Sequence, residues 1–98
     1  MLEIVWYKEA EKVYFRTLEF WVKHYGSNEY SLKIILNVEK AEKLISANPL
    51  LGRLNKYKNV RIIWVLKYFS LVNKVVKNEI HIVAFWDNRR SPENLNIK

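Results

Sequence analysis

The sequence predicts an α+β fold of order β-α-α-β-β-β, in which a helical hairpin packs on one face of a small, antiparallel-rich sheet. Three observations carry that prediction. A short β-rich opening gives way at Lys8 to two long stretches of helical period, Gly26 and Asn48-Pro49 bound those stretches, and three strand-like runs follow almost without linkers. A chain of 98 residues supports one hydrophobic core, so residues 1–98 are read as a single domain.

Leu2 to Tyr7 is rich in β-formers and reads as a short strand whose place in the sheet the sequence leaves open. Beyond it Ala10, Tyr14, Leu18, Trp21, Val22 and Tyr25 recur at helical steps, with Glu9, Glu11, Lys12, Arg16, Glu19 and Lys23 between them. Gly26 supplies the left-handed residue that ends this helix, and Ser27 or Asn28 is placed to cap the next one. Leu32, Ile35, Val38, Ala41, Leu44 and Ile45 form a second apolar stripe. Pro49 stops it, because the proline ring disfavours helical geometry at Asn48. The short linker makes the pair an αα-hairpin.

Gly52 to Asn59 reads as a basic loop, and the runs VRIIWVLK, YFSLVNKVV and EIHIVAFW follow it. With Lys67-Tyr68 and Lys77-Asn78 as two-residue turns, strand alternation assigns the faces. Ile62, Trp64, Leu66, Phe69, Leu71, Val75, Ile80, Ile82, Ala84 and Trp86 fall on the helix side, with Asn73 as the polar member. Trp21, Trp64 and Trp86 are therefore assigned to the core. Arg61, Ile63, Val65, Ser70, Val72, Lys74, His81, Val83 and Phe85 fall on the other face, where Arg61, Lys74 and His81 line up across three strands. Arg89 and Arg90 leave from the end of the strand that carries His81.

Charge is distributed unevenly. Residues 1–52 hold seven Lys/Arg and seven Asp/Glu, so the entire net charge of +7 lies in residues 53–98. A basic excess confined to one half points to an anionic partner, either nucleic acid or an acidic protein segment. With no cysteine, neither a disulfide framework nor a thiolate metal site is available. No stretch is apolar for the ~20 residues that a bilayer requires, and the N-terminus lacks the pattern of a signal peptide, so the chain is expected to be cytoplasmic.

The pieces NPLLGR, then Val60-Arg61 at a strand start, then HIVAFWDNRRSPENL, in this order and spacing, resemble the RelE/ParE superfamily of toxins from bacterial type II toxin–antitoxin systems. The resemblance spans nearly the whole chain. It implies a growth-inhibitory toxin neutralised by a cognate antitoxin through an acidic or amphipathic segment, with no cofactor, no metal and no membrane. Two targets are implied. The ParE-like branch inhibits DNA gyrase, while the RelE-like branch is a metal-independent, ribosome-dependent endonuclease of mRNA. Active nucleases of the superfamily carry an arginine where this chain has Ser70, and several carry His or Tyr where it has Asp87, Asn88 and Arg89. Those departures place gyrase inhibition ahead of RNA cleavage and leave open whether the protein is an enzyme; a binding module that keeps the fold without toxicity is the third alternative.

Arg61, Lys74, Arg89, Arg90, Lys56 and Lys58 are the candidates for holding phosphate or a gyrase surface, since guanidinium and ammonium groups pair with phosphate oxygens. Arg61, Phe85, Arg89 and Arg90 are the candidates for antitoxin contact. His81 is the candidate for proton transfer, set against the plainer reading of a half-exposed cross-strand neighbour of Lys74.

Overall fold

A computed structural model describes residues 1–88. Its elements are β1 (Glu3–Trp6), α1 (Lys8–Tyr25), α2 (Glu29–Ala47), β2 (Arg53–Asn55), β3 (Val60–Val65), β4 (Phe69–Val76) and β5 (Glu79–Asp87). Glu9 and Glu11 lie in the first turn of α1 and Lys23 and His24 in its last, complementing the helix dipole. Gly26 ends α1 at φ 69°, its N–H donating to the Val22 carbonyl. The Asn28 side chain makes no capping bond to α2. At the far end of α2, the Asn48 N–H closes on the Leu44 carbonyl directly before Pro49.

The five strands form one sheet in the order β1-β5-β4-β3-β2. β1 occupies an edge, parallel to β5, with Val5 opposite His81 and Trp6 opposite Ile82. The remaining neighbours are antiparallel. The stretch expected as a basic loop contains β2, which pairs Arg53 with Ile62 and Asn55 with Val60. Three residues are too few for alternation to show in the sequence.

Two local features correct the expected faces. The β3–β4 turn holds three residues, Leu66, Lys67 and Tyr68, with Leu66 at φ 56°, so Val65 pairs with Phe69. One residue more in a turn reverses the strand before it. Ile63 and Val65 therefore lie on the helix side, while Ile62 and Trp64 point away. In β5, Val72 pairs with Ala84 but Asn73 with Ile82, a bulge that leaves Val83 unmatched. Ile80 and Ile82 keep the expected side, whereas beyond the bulge Phe85 faces the helices and Ala84 and Trp86 face away.

The core beneath the hairpin joins Ala10, Tyr14, Ile34, Val38, Ala41 and Ile45 to Val65, Phe69, Leu71, Ile80, Ile82 and Phe85. On α2 the buried stripe is rotated from the expected one: Ile34 and Ile45 are fully buried, while Leu32 and Leu44 are about half exposed. Ser31 and Ser46 lie on the buried side, donating to the Leu18 and Leu2 carbonyls. The Leu2 N–H in turn donates to the Ser46 carbonyl, fixing the start of β1 to the end of α2. Asn73, buried on the helix side, spends its amide on the Arg61 and Leu71 carbonyls at 3.3 and 3.5 Å.

Candidate functional site

The expected row of cations does not form. Arg61 is the register partner of Asn73, and Lys74 that of His81, so the pleat sends Arg61 to the helix side and Lys74 with His81 to the outer face. The cause is the longer β3–β4 turn. Arg61 is held in place, its Nη1 donating to the Gly52 carbonyl at 3.2 Å. That carbonyl belongs to the residue before β2, so the short edge strand fixes the guanidinium.

Lys56 and Lys58 lie exposed in the β2–β3 turn, whose shape is helped by a bond from the Lys58 N–H to Asn55 Oδ1. Between them Tyr57 is 92% exposed, and the Lys58 ammonium sits 5.7 Å from its ring centroid. An aromatic ring presented between two cations is a surface on which a base or another planar group can stack. Sequence reasoning took the lysines and passed over Tyr57, though its place between them was visible. Arg89 and Arg90 lie outside the described residues.

On the outer face Ser70 is 2% exposed and its hydroxyl donates to Asn88 Oδ1, while the Asn88 N–H bonds the Tyr68 carbonyl at 2.6 Å. The position that resembles the nuclease arginine is thus occupied by a small buried hydroxyl tied to the end of β5. Trp64, expected in the core, is 63% exposed on this face. Phe85, expected to meet a partner, is 3% exposed in the core, 5.1 Å from the Tyr14 ring and 5.4 Å from the Phe69 ring.

His81 stands in a chain of hydrogen bonds that the sequence did not show. Its Nε2 lies 3.0 Å from Glu79 Oε1 and its Nδ1 lies 3.0 Å from the Tyr7 hydroxyl. Tyr7 comes from the far end of the sequence, brought over by the parallel β1–β5 pairing and a bond from its own N–H to the Ile82 carbonyl at 3.0 Å. Only knowledge of where β1 joins the sheet could have revealed it.

A second surface lies on the hairpin. A groove of about 360 Å³ between α1 and α2 is lined by Phe15, Leu18, Val22, Leu32 and Ile35, with Glu19 and Lys23 at its polar positions. Phe15 is 54% and Leu32 49% exposed. Val22 and Leu32 belong to the helical apolar stripes read from the sequence, and Phe15 lies one position off the first. Among the described residues, no group of His, Asp and Glu side chains is arranged to hold a metal, and no helix is long and apolar enough to cross a membrane.

No family model matches the sequence, and no curated protein matches it. Among solved structures, the chain is similar to the chromosomal ParDE toxin–antitoxin system from P. aeruginosa, with a TM-score of 0.73. The match covers 89% of this chain and 96% of that one, at 23% identity. The two-helix hairpin on a five-stranded, mostly antiparallel sheet is therefore the α+β fold of the RelE/ParE type expected from the sequence.

Proposed function

We propose that the chain is the toxin of a type II toxin–antitoxin pair, arresting growth when it is not covered by its cognate antitoxin, and that its target is DNA gyrase. The observation that carries the toxin reading is the near full-length likeness to a ParDE structure, joined to a charge excess confined to residues 53–98. The gyrase reading is supported by Ser70, which is buried and bonded to Asn88 where the resembling nucleases need a guanidinium on phosphate. Inhibition by binding needs no such group. The antitoxin is a segment with an apolar face for the Phe15–Leu32 groove and carboxylates for the basic half of the chain.

A second reading, ribosome-dependent cleavage of mRNA, is favoured by Tyr57 between Lys56 and Lys58, a pattern suited to a nucleotide strand. Expression of the chain without its antitoxin tests both readings. Growth arrest with DNA-damage signs and intact messages is the expected result. Arrest with cut messages selects the second reading, and ordinary growth would leave a non-toxic binding module.

A further inference from the structure

We infer that the outer face of the sheet beside β2, centred on Trp64, is the surface that engages the gyrase target, and that it takes an acidic, extended protein segment with an apolar anchor. This surface presupposes the gyrase reading and adds to it the place of contact and the chemistry of what is bound there.

Charge narrows the location first. Residues 1–52 carry seven residues of each sign and residues 79–98 three of each, whereas residues 53–78 hold seven Lys/Arg and no Asp/Glu. The entire net charge of +7 therefore lies in β2, β3, β4 and the turns that join them and lead to β5. Among the described residues, the ion pairs Lys12–Glu9 and His81–Glu79 use none of these cations. A block of one sign attracts a partner of the other.

Within that block Trp64 is 63% exposed, and its place in the sheet explains why. On one side its register partner is Ser70, a small residue. On the other, β2 begins at Arg53, opposite Ile62, so its pairing stops short of Trp64. Arg53 shares the outer face with Ile62 and Trp64 and is itself exposed, and a second exposed cation, Lys67, stands in the turn that follows β3. An indole flanked by cations on a half-apolar face has the composition of an interface centre, where Trp and Arg carry much of the binding energy.

β2 decides between protein and nucleic acid. It is the last strand of the sheet, and among the described residues only β3 pairs with it, so one row of its backbone N–H and C=O groups is turned outward. An extended polypeptide adds to such an edge through main-chain hydrogen bonds, with alternate side chains falling on the outer face, and a nucleic-acid strand cannot reproduce that ladder. The bound segment sets one apolar side chain against Trp64 and Ile62 and its carboxylates against Arg53 and Lys67. The groove given to the antitoxin lies on the hairpin, on the far side of the sheet, so the two partners have separate apolar anchors and compete for the cations alone.

The test measures inhibition of supercoiling by purified gyrase, and association with the cognate antitoxin, for the full chain. Wild type is expected to inhibit. Trp64→Ala is expected to raise the concentration for half-inhibition about ten-fold or more while associating with the antitoxin as wild type does. The double variant Arg53→Glu/Lys67→Glu should give a comparable rise that shrinks at high salt, and it keeps the surface open to refutation if Trp64→Ala fails to fold. Wild type that leaves gyrase active would remove the gyrase reading and this surface with it. Equal inhibition by wild type and both folded variants would overturn the surface and leave the gyrase reading standing. Variants that inhibit normally but lose the antitoxin would transfer the surface to the antitoxin, and binding of DNA without gyrase that depends on Trp64 would make it a nucleic-acid surface; either result overturns the inference.

Discussion

The Phe85 ring lies 5.1 Å from the Tyr14 ring, tilted by 51°, and stacks at 5.4 Å on Phe69, so one side chain joins the last strand to the first helix and to its neighbouring strand. It does so because the bulge beside Asn73 turns the end of β5 over. Truncation of such a fully enclosed aromatic removes transfer free energy and leaves a cavity. Phe85→Ala is expected to cost about 3–5 kcal/mol, and Trp64→Ala, at 63% exposure, less than about 1 kcal/mol. Urea unfolding of the two variants measures the difference, and the reverse order would turn both β3 and the end of β5 the other way up.

Tyr14 gives the fold a dependence on alkaline pH. Burial, followed by the carboxylates of Glu42 and Glu39, pushes its phenol from 10.0 up to about 12. The folded state therefore holds this proton more tightly than the unfolded chain does. The resulting stability is fully present below about pH 10 and is lost as pH rises through the folded value, by at most roughly 2–3 kcal/mol. An ultraviolet titration of tyrosinate should show the Tyr14 phenol ionising late. Tyr14→Phe should remove both the late step and its contribution to the loss of stability between about pH 10 and 12.

How far the sequence disclosed this molecule depends on the range of the signal. Both helices and the three long strands follow from local periodicity, which lies in consecutive residues such as Ala10, Tyr14 and Leu18. The faces of β3 and of the end of β5 depend on the length of one turn and on one unmatched residue, Val83, and alternation cannot see either. The same limit moved Phe85 into the core and separated Arg61 from Lys74. Glu79 and His81 are close in sequence, but Tyr7 meets them only through a pairing 74 residues apart. The groove on the hairpin was hidden for a different reason. A stripe that includes Val22 and Leu32 reads as core whether a domain or a partner covers it.

Gly52 is the position where a single methyl group should do most harm. Its φ is 97°, in a range that side-chain-bearing residues rarely adopt, and an added Cβ would lie 2.9 Å from the Ile62 carbonyl oxygen. Gly52→Ala is expected to lower stability by on the order of 1–3 kcal/mol, read as a fall in Tm of several degrees. Its carbonyl also receives the Arg61 guanidinium, so the variant should loosen that side chain as well. Restored function of Gly52→Ala at low temperature would show that the damage is to folding rather than to the arginine.

Under the proposed function Arg61 serves the partner as well as the fold. Its guanidinium is part-buried and anchored to one carbonyl, which leaves other N–H groups of the fork for a carboxylate or phosphate. Under the proposed function Arg61 acts with Arg89 and Arg90, the candidates read from the sequence, meeting the target when the chain is free and the antitoxin carboxylates when it is bound. Charge pairs at a protein interface act mainly on the rate and specificity of association, and salt screens them over a Debye length of about 10 Å at 0.1 M. A triple Arg61/Arg89/Arg90→Ala variant, first shown to unfold as wild type does, is expected to associate with the cognate antitoxin about ten-fold more slowly at moderate salt. Its binding should also respond less steeply to added salt, and its toxicity should fall. Stopped-flow association across salt concentrations checks the first two, and growth after induction checks the third. Full toxicity with association as fast and as salt-sensitive as wild type would remove these three arginines from both surfaces. The groove of Phe15, Val22 and Leu32 would then be left as the antitoxin's chief hold.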